Sequence, residues 1–152
     1  MANNSFNIRI EDHSADVLRE LEERASAALE ACGIQAESRA ANIVTRGVPR
    51  HADSWYVPTG ALRNSLNHQV VESEKAVYIG SNDESAPYNE LGTGIYLEAD
   101  DGRTGRTTPW KYKGSDGQWH ITRGMKPLHM LKNALADNIP EYKKIMEEKL
   151  KE

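Results

Sequence analysis

The chain is poor in the residues that carry most protein chemistry. A single cysteine among 152 residues, Cys32, excludes an internal disulfide and a thiolate zinc site, and fits a reducing compartment. A single phenylalanine, Phe6, leaves three tryptophans and six tyrosines as the aromatic supply, and their polar atoms need partners wherever they are buried. Hydrophobic residues make up only 38%, so the core is thin, and some apolar burial is expected to await a neighbouring subunit. Positive charge is also in deficit: 19 Lys and Arg stand against 23 Asp and Glu, a net charge of −4. That balance argues against a protein whose main task is coating nucleic acid, which works by counterion release from a Lys/Arg surface. No apolar run approaches the ~20 residues of a membrane span. Met1 to Ser5 has neither the basic nor the apolar stretch of a secretory signal, so the expectation is a soluble protein made and kept in a cytoplasm, with no membrane partner.

Catalytic patterns are missing too. The histidines, His13, His51, His68, His120 and His129, never pair one helical turn apart, and no metal site is expected. Cys32 falls on an apolar helical stripe, which reads as a small core residue rather than a nucleophile. Gly102-Arg103-Thr104-Gly105-Arg106 lacks the preceding strand and the Gly-Lys-Ser/Thr of a phosphate-binding loop. Glu84, Glu90 and Glu98 lie near a glycine-rich turn, but no nucleophile or oxyanion-hole pattern accompanies them. The expectation is no catalytic residue, no cofactor and no enzyme.

What is present is organised as one α+β domain, with a long N-terminal helix and a C-terminal helix packed on a small antiparallel sheet of two hairpins. Val17, Leu18, Leu21, Ala25, Ala28, Leu29 and Cys32 recur at three-to-four spacing, and Ala36, Ala40, Ile43 and Val44 continue the stripe. Ser14 is the expected N-cap and Asp16 suits the helix dipole, while Gly47 and Pro49 end the pattern. Unbroken, such a helix is about 48 Å long and overhangs a domain only ~40 Å across. Either Gly33 bends it or one end packs on another subunit, with small residues such as Ala25 and Ala28 allowing close approach.

After Pro58, Thr59 is placed to cap a short helix through Leu66. Gln69 to Glu72 and Ala76 to Gly80 read as one hairpin, and Trp110 to Lys113 with Trp119 to Thr122 as a second around Gly114-Ser115-Asp116-Gly117. Residues 98–108 read as a mobile loop. A C-terminal helical pattern carries Leu128, Leu131 and Leu135, breaks near Pro140, and resumes with Tyr142, Ile145, Met146 and Leu150.

Residues 101–126 are locally basic: Arg103, Arg106, Lys111, Lys113, Arg123 and Lys126 outnumber Asp101 and Asp116. With Trp110, Tyr112 and Trp119 interleaved, the segment could serve as a small nucleic-acid-binding module that stacks bases. The favoured reading is a two-stranded sheet whose aromatics pack inward while its charges face water.

Four phrases carry a resemblance. They are Pro58-Thr59-Gly60-Ala61-Leu62-Arg63-Asn64-Ser65-Leu66; Ala86-Pro87-Tyr88-Asn89-Glu90-Leu91-Gly92-Thr93-Gly94-Ile95-Tyr96; Pro109-Trp110-Lys111-Tyr112 with Gly117-Gln118-Trp119; and Thr122-Arg123-Gly124-Met125-Lys126-Pro127. In this order and spacing the chain, from its first helix to Leu135, resembles the bacteriophage tail-completion family, head-tail connector proteins of long-tailed phages and prophages. It departs from that family at Pro58, where Asp is frequent, and at His129-Met130, where an aromatic is common. The resemblance implies a structural virion protein of the head-tail junction, made in a bacterial host. It would assemble with itself into a ring, implied to be hexameric, join other neck and tail proteins, and let DNA pass without sequence-specific binding. It also implies no catalysis. Within the phrases Gly92 and Gly94 are expected at positive φ, with Pro87 starting the turn and Tyr88 and Leu91 packing it against the sheet. Leu21, Ala25 and Ala28 on the helix, and Arg103 and Arg106 on the loop, are the expected interface.

Overall fold

The computed structural model describes residues 9–46, 60–114 and 116–152. Helix α1 (Ser14–Arg46) runs unbroken for 33 residues, about 50 Å at 1.5 Å per residue. Its first turn is held by Asp12 rather than by the expected Ser14 cap: the Ser14 N–H donates to the Asp12 carboxylate at 2.9 Å, and that bond holds the carboxyl below its ordinary range. Gly33 does not interrupt the helix. It lies buried on the face toward the first hairpin, where the missing side chain leaves room for His68.

Helix α2 (Ala61–Ser65) follows Gly60, whose φ of 80° gives the chain a left-handed turn at the N-cap. The expected cap, Thr59, lies outside the described residues, as do Phe6, His51 and Pro58. Strand β1 (Leu66–Val71) begins three residues before its expected start and pairs antiparallel with β2 (Ala76–Ser81) in the register Leu66↔Ser81 to Val71↔Ala76. The turn between them is a single 3-10 turn closed by Lys75 at φ 50°. Leu66 opens the strand by pairing with Ser81, and its side chain is buried in the core.

Helix α3 (Ala86–Leu91) occupies the phrase expected to form a turn, with Pro87 in its first turn. Strands β3 (Trp110–Lys113) and β4 (Trp119–Thr122) form the second hairpin, a sheet separate from β1–β2. Residues 98–108, expected to be a loop, carry no helix or strand. The chain ends in α4 (Met130–Ala136) and α5 (Ile139–Lys151), with Pro140 in the first turn of α5 marking the expected break.

The core lies where α1, α2, α3, α4 and the first hairpin meet, and comprises Ala40, Leu62, Leu66, Ala86, Leu128, Met130 and Ala134. Met130 is fully buried and is the largest side chain that is. Alanines supply half of the buried apolar residues, so close helix approach replaces bulk, and each contributes little of the ~25 cal/mol per Å² that apolar burial returns. Helix α5 runs antiparallel along α1: Glu141 accepts from Gln35 at 3.2 Å and pairs with Arg39, and the Cys32 thiol points at the Tyr142 carbonyl. Cys32 is therefore a core residue, and burial pushes its thiol pKa up, away from nucleophilic character.

Candidate assembly surfaces

The second and fourth phrases meet in a backbone crossing, and two faces of the chain stand exposed: the N-terminal limb of α1 and one side of the second hairpin. The Thr93 N–H donates to the Met125 carbonyl at 2.8 Å, the Ile95 N–H to the Arg123 carbonyl at 3.0 Å, and the Met125 N–H to Thr93 Oγ1 at 2.9 Å. Glycine makes this approach possible. A Cβ on Gly94 would lie 1.9 Å from the Arg123 carbonyl oxygen, and one on Gly124 2.0 Å from that of Thr93. Gly92 and Gly94 adopt the expected positive φ, 77° and 62°. Gly105 joins the same crossing, since a Cβ there would meet the Gly94 carbonyl oxygen; this glycine is a packing requirement rather than part of a phosphate cradle.

Glu90 is also structural. Its two carboxylate oxygens accept the N–H groups of Leu131 and Lys132 at 2.8 and 2.9 Å, capping α4 from a neighbouring helix. Ser65 Oγ meets Ser81 Oγ at 2.6 Å and ties α2 to the end of β2, while Leu62 sits in the core and Arg63 is exposed. Pro127 packs over Gly92. Tyr88 corrects the expectation for its phrase: it is 60% exposed, because on α3 it points away from the face that buries Ala86 and Asn89.

The first exposed face is the N-terminal limb of α1. Residues 14–23 are all exposed, and Val17, Leu18 and Leu21 keep 61, 59 and 50% of their surface in solvent. They continue the stripe that lower down buries Ala28, Cys32, Ala36 and Ala40 against the body. The expected interface set thus needs one correction: Leu21 is exposed and Ala25 half-buried, but Ala28 is fully buried within its own chain and presents nothing to a partner.

The second face is the outer side of β3–β4. In the register Lys111↔Ile121 and Lys113↔Trp119, these four side chains share one side, and Trp119 and Ile121 are 69 and 70% exposed. The expectation that both tryptophans pack inward is overturned for Trp119. The opposite side of the hairpin is partly sheltered: Trp110 lies half-buried with the Arg106 guanidinium 5.5 Å over its ring, whereas Tyr112 stays exposed, its ring tilted and 5.5 Å from that of His120, which Asp116 holds at 2.9 Å. The cations of the basic segment are partly spent: Arg103 pairs with Asp101 at 2.6 Å, and Lys126 lies over Tyr96.

Among the described residues, no group of three or more His, Cys, Asp or Glu side chains could hold a metal ion, and no helix is long and apolar enough to cross a membrane. No protein-family model, curated protein or solved structure matches the chain.

Proposed function

We propose that the chain is a non-enzymatic structural protein of a long-tailed phage or prophage, a tail-completion or connector subunit at the head-tail junction. It forms or joins a ring, for which the resemblance implies six copies, and DNA passes through without being read. The observation that carries this reading is the limb of α1: an apolar stripe continuous with the core whose Val17, Leu18 and Leu21 stay half or more exposed among the described residues. A subunit that buries such a stripe only on assembly also accounts for an alanine-rich core. The phrases behind the resemblance support a structural role as well, since Thr93 and Gly94 of the second pair with Arg123, Gly124 and Met125 of the fourth. Inactivating the gene in the phage or prophage that encodes it should leave filled heads and separate, unjoined tails under the electron microscope. Intact infectious virions in that strain would overturn the reading.

A second reading, a nucleic-acid-binding module, draws on the exposed Trp119 beside Lys111 and Lys113. Magnitude counts against it. With Arg103, Arg106 and Lys126 engaged inside the chain, about three cations of this segment remain for phosphates, which leaves little counterion release to drive binding. A single-stranded oligonucleotide that shifts in a gel at low salt would restore it.

A further inference from the structure

The two exposed faces are complementary. Beside the α1 limb lies an open groove of about 1080 Å³, floored by Leu18, Leu21, Ala25 and Leu29 and bounded by the β1–β2 turn and by Leu150 of α5. Its charged rim holds four glutamates, Glu22, Glu23, Glu30 and Glu72, against Arg19 and Lys75. The outer face of β3–β4 is its converse: an exposed indole and an isoleucine flanked by Lys111 and Lys113, which have no ion pair among the described residues. We propose that Trp119 and Ile121 of one copy dock in the groove of the next, with Lys111 and Lys113 against its glutamate rim.

The contact deepens the assembly reading and rests on it for the choice of occupant. It joins different patches of the two copies, so it is heterologous: every subunit offers one groove and one hairpin, and the series closes as a ring or grows as a filament. Like-with-like pairing is disfavoured on both sides. Groove on groove brings acidic rims together, and hairpin on hairpin brings lysines together. A single hairpin in a groove covers less than the ~1,600 Å² of a standard stable interface, so the isolated chain should associate weakly and with strong concentration dependence.

Sedimentation velocity from about 10 μM to 1 mM tests it. The native chain should form species larger than a dimer. A hairpin variant, Lys111→Glu with Lys113→Glu, and a groove variant, Glu22→Lys with Glu72→Lys, should each remain monomeric over that range, and Trp119→Ala should weaken association about thirtyfold. An equal mixture of hairpin and groove variants should associate again, because the native hairpin of one meets the native groove of the other and the two reversed faces are again opposite in charge; a mixture as monomeric as its components would overturn the proposal. A native chain that stays monomeric throughout would overturn the proposal, as would a hairpin variant that associates like the native chain. So would Trp119→Ala abolishing single-strand binding while association persists. Thermal melting of each variant separates lost docking from lost folding. If heads and tails still fail to join without the gene while these variants assemble normally, the contact is wrong and the assembly reading stands.

Discussion

Gly33 lies directly under the ring of His68: a Cβ on Gly33 would lie 2.4 Å from His68 Cδ2 and 2.9 Å from Val77 Cγ2. Two effects compete in Gly33→Ala. Replacing glycine in a helix interior ordinarily stabilises by about 1 kcal/mol. Forcing a methyl group into a filled site costs about 1–3 kcal/mol, and the imidazole cannot swing aside, because both its nitrogens are held by glutamates. Gly33→Ala should therefore give no gain and destabilise the protein by up to ~2 kcal/mol in urea unfolding. A gain in stability would mean that the hairpin does not pack on the helix as described.

The same imidazole makes stability depend on pH. His68 Nδ1 lies 2.6 Å from Glu37 and Nε2 3.1 Å from Glu30, and its side chain is 15% exposed. The hydrogen bond to Glu37, with help from Glu30, raises its pKa above the ordinary 6.5, although burial opposes the shift. A folded-state pKa above the unfolded one means that the protonated form is favoured by folding. The contribution is complete below about pH 6.5 and is lost as the pH rises through the raised folded value. Native protein should lose melting temperature across that window, and His68→Gln should lose less. Equal slopes for the two would show that the clamp is not made in solution.

Neither Gly33 nor His68 announced this pairing in the sequence. A glycine in a helical pattern reads as a bend, and the spacing of His68 says only that no metal pair is formed; the reason for each is the other, 35 positions away. By contrast α1, both hairpins and the Pro140 break were legible, because period and turn chemistry are local. Trp119 was misread for a related reason: alternation says which residues share a side of a strand, but not which side the rest of the chain covers. Glu90 was legible only as part of a phrase. Its role as the cap of α4 depends on a fold that brings α3 to the start of that helix.

The glycine crossing predicts a sharp contrast. Gly94→Ala combines a positive φ with a Cβ 1.9 Å from a carbonyl oxygen of the opposing backbone, so a main-chain segment has to move. That substitution should cost more than ~3 kcal/mol and leave the chain largely insoluble. Gly102 shares the positive φ, 79°, but a Cβ there meets nothing within 4 Å, so Gly102→Ala should cost only ~1 kcal/mol. Expression and thermal melting of the pair check it; equal effects would show that conformation rather than close approach sets the requirement.

Glu90 offers a test of structural against catalytic use. Its carboxylate satisfies two N–H groups at the start of α4, where His129 precedes the helix at φ 48° without a side-chain cap of its own. Glu90→Ala should lower stability by about 1–2 kcal/mol. Glu90→Gln, which keeps one acceptor oxygen, should lose roughly half as much. Urea unfolding of the two variants against the native chain measures both. An alanine variant of native stability would remove the capping role.

The α1 limb separates what holds the fold from what holds an assembly. Leu62 is 5% exposed in the core, and its replacement by alanine should cost about 2–5 kcal/mol, through lost burial and the cavity left behind. Leu18 and Leu21 are 59 and 50% exposed, so about half of the transfer energy of their side chains is not realised within one chain. Leu18→Ser with Leu21→Ser should then cost only ~1 kcal/mol in the isolated subunit, chiefly through the lower helix propensity of serine. Its effect on association should be larger, since docking buries the exposed half of each leucine, worth about 0.8–1.8 kcal/mol apiece. Melting temperature and sedimentation, measured on the same samples, should move independently in the two variants. A limb variant that unfolds as readily as Leu62→Ala would show that the stripe is already covered within its own chain, and would remove the main support for an assembling subunit.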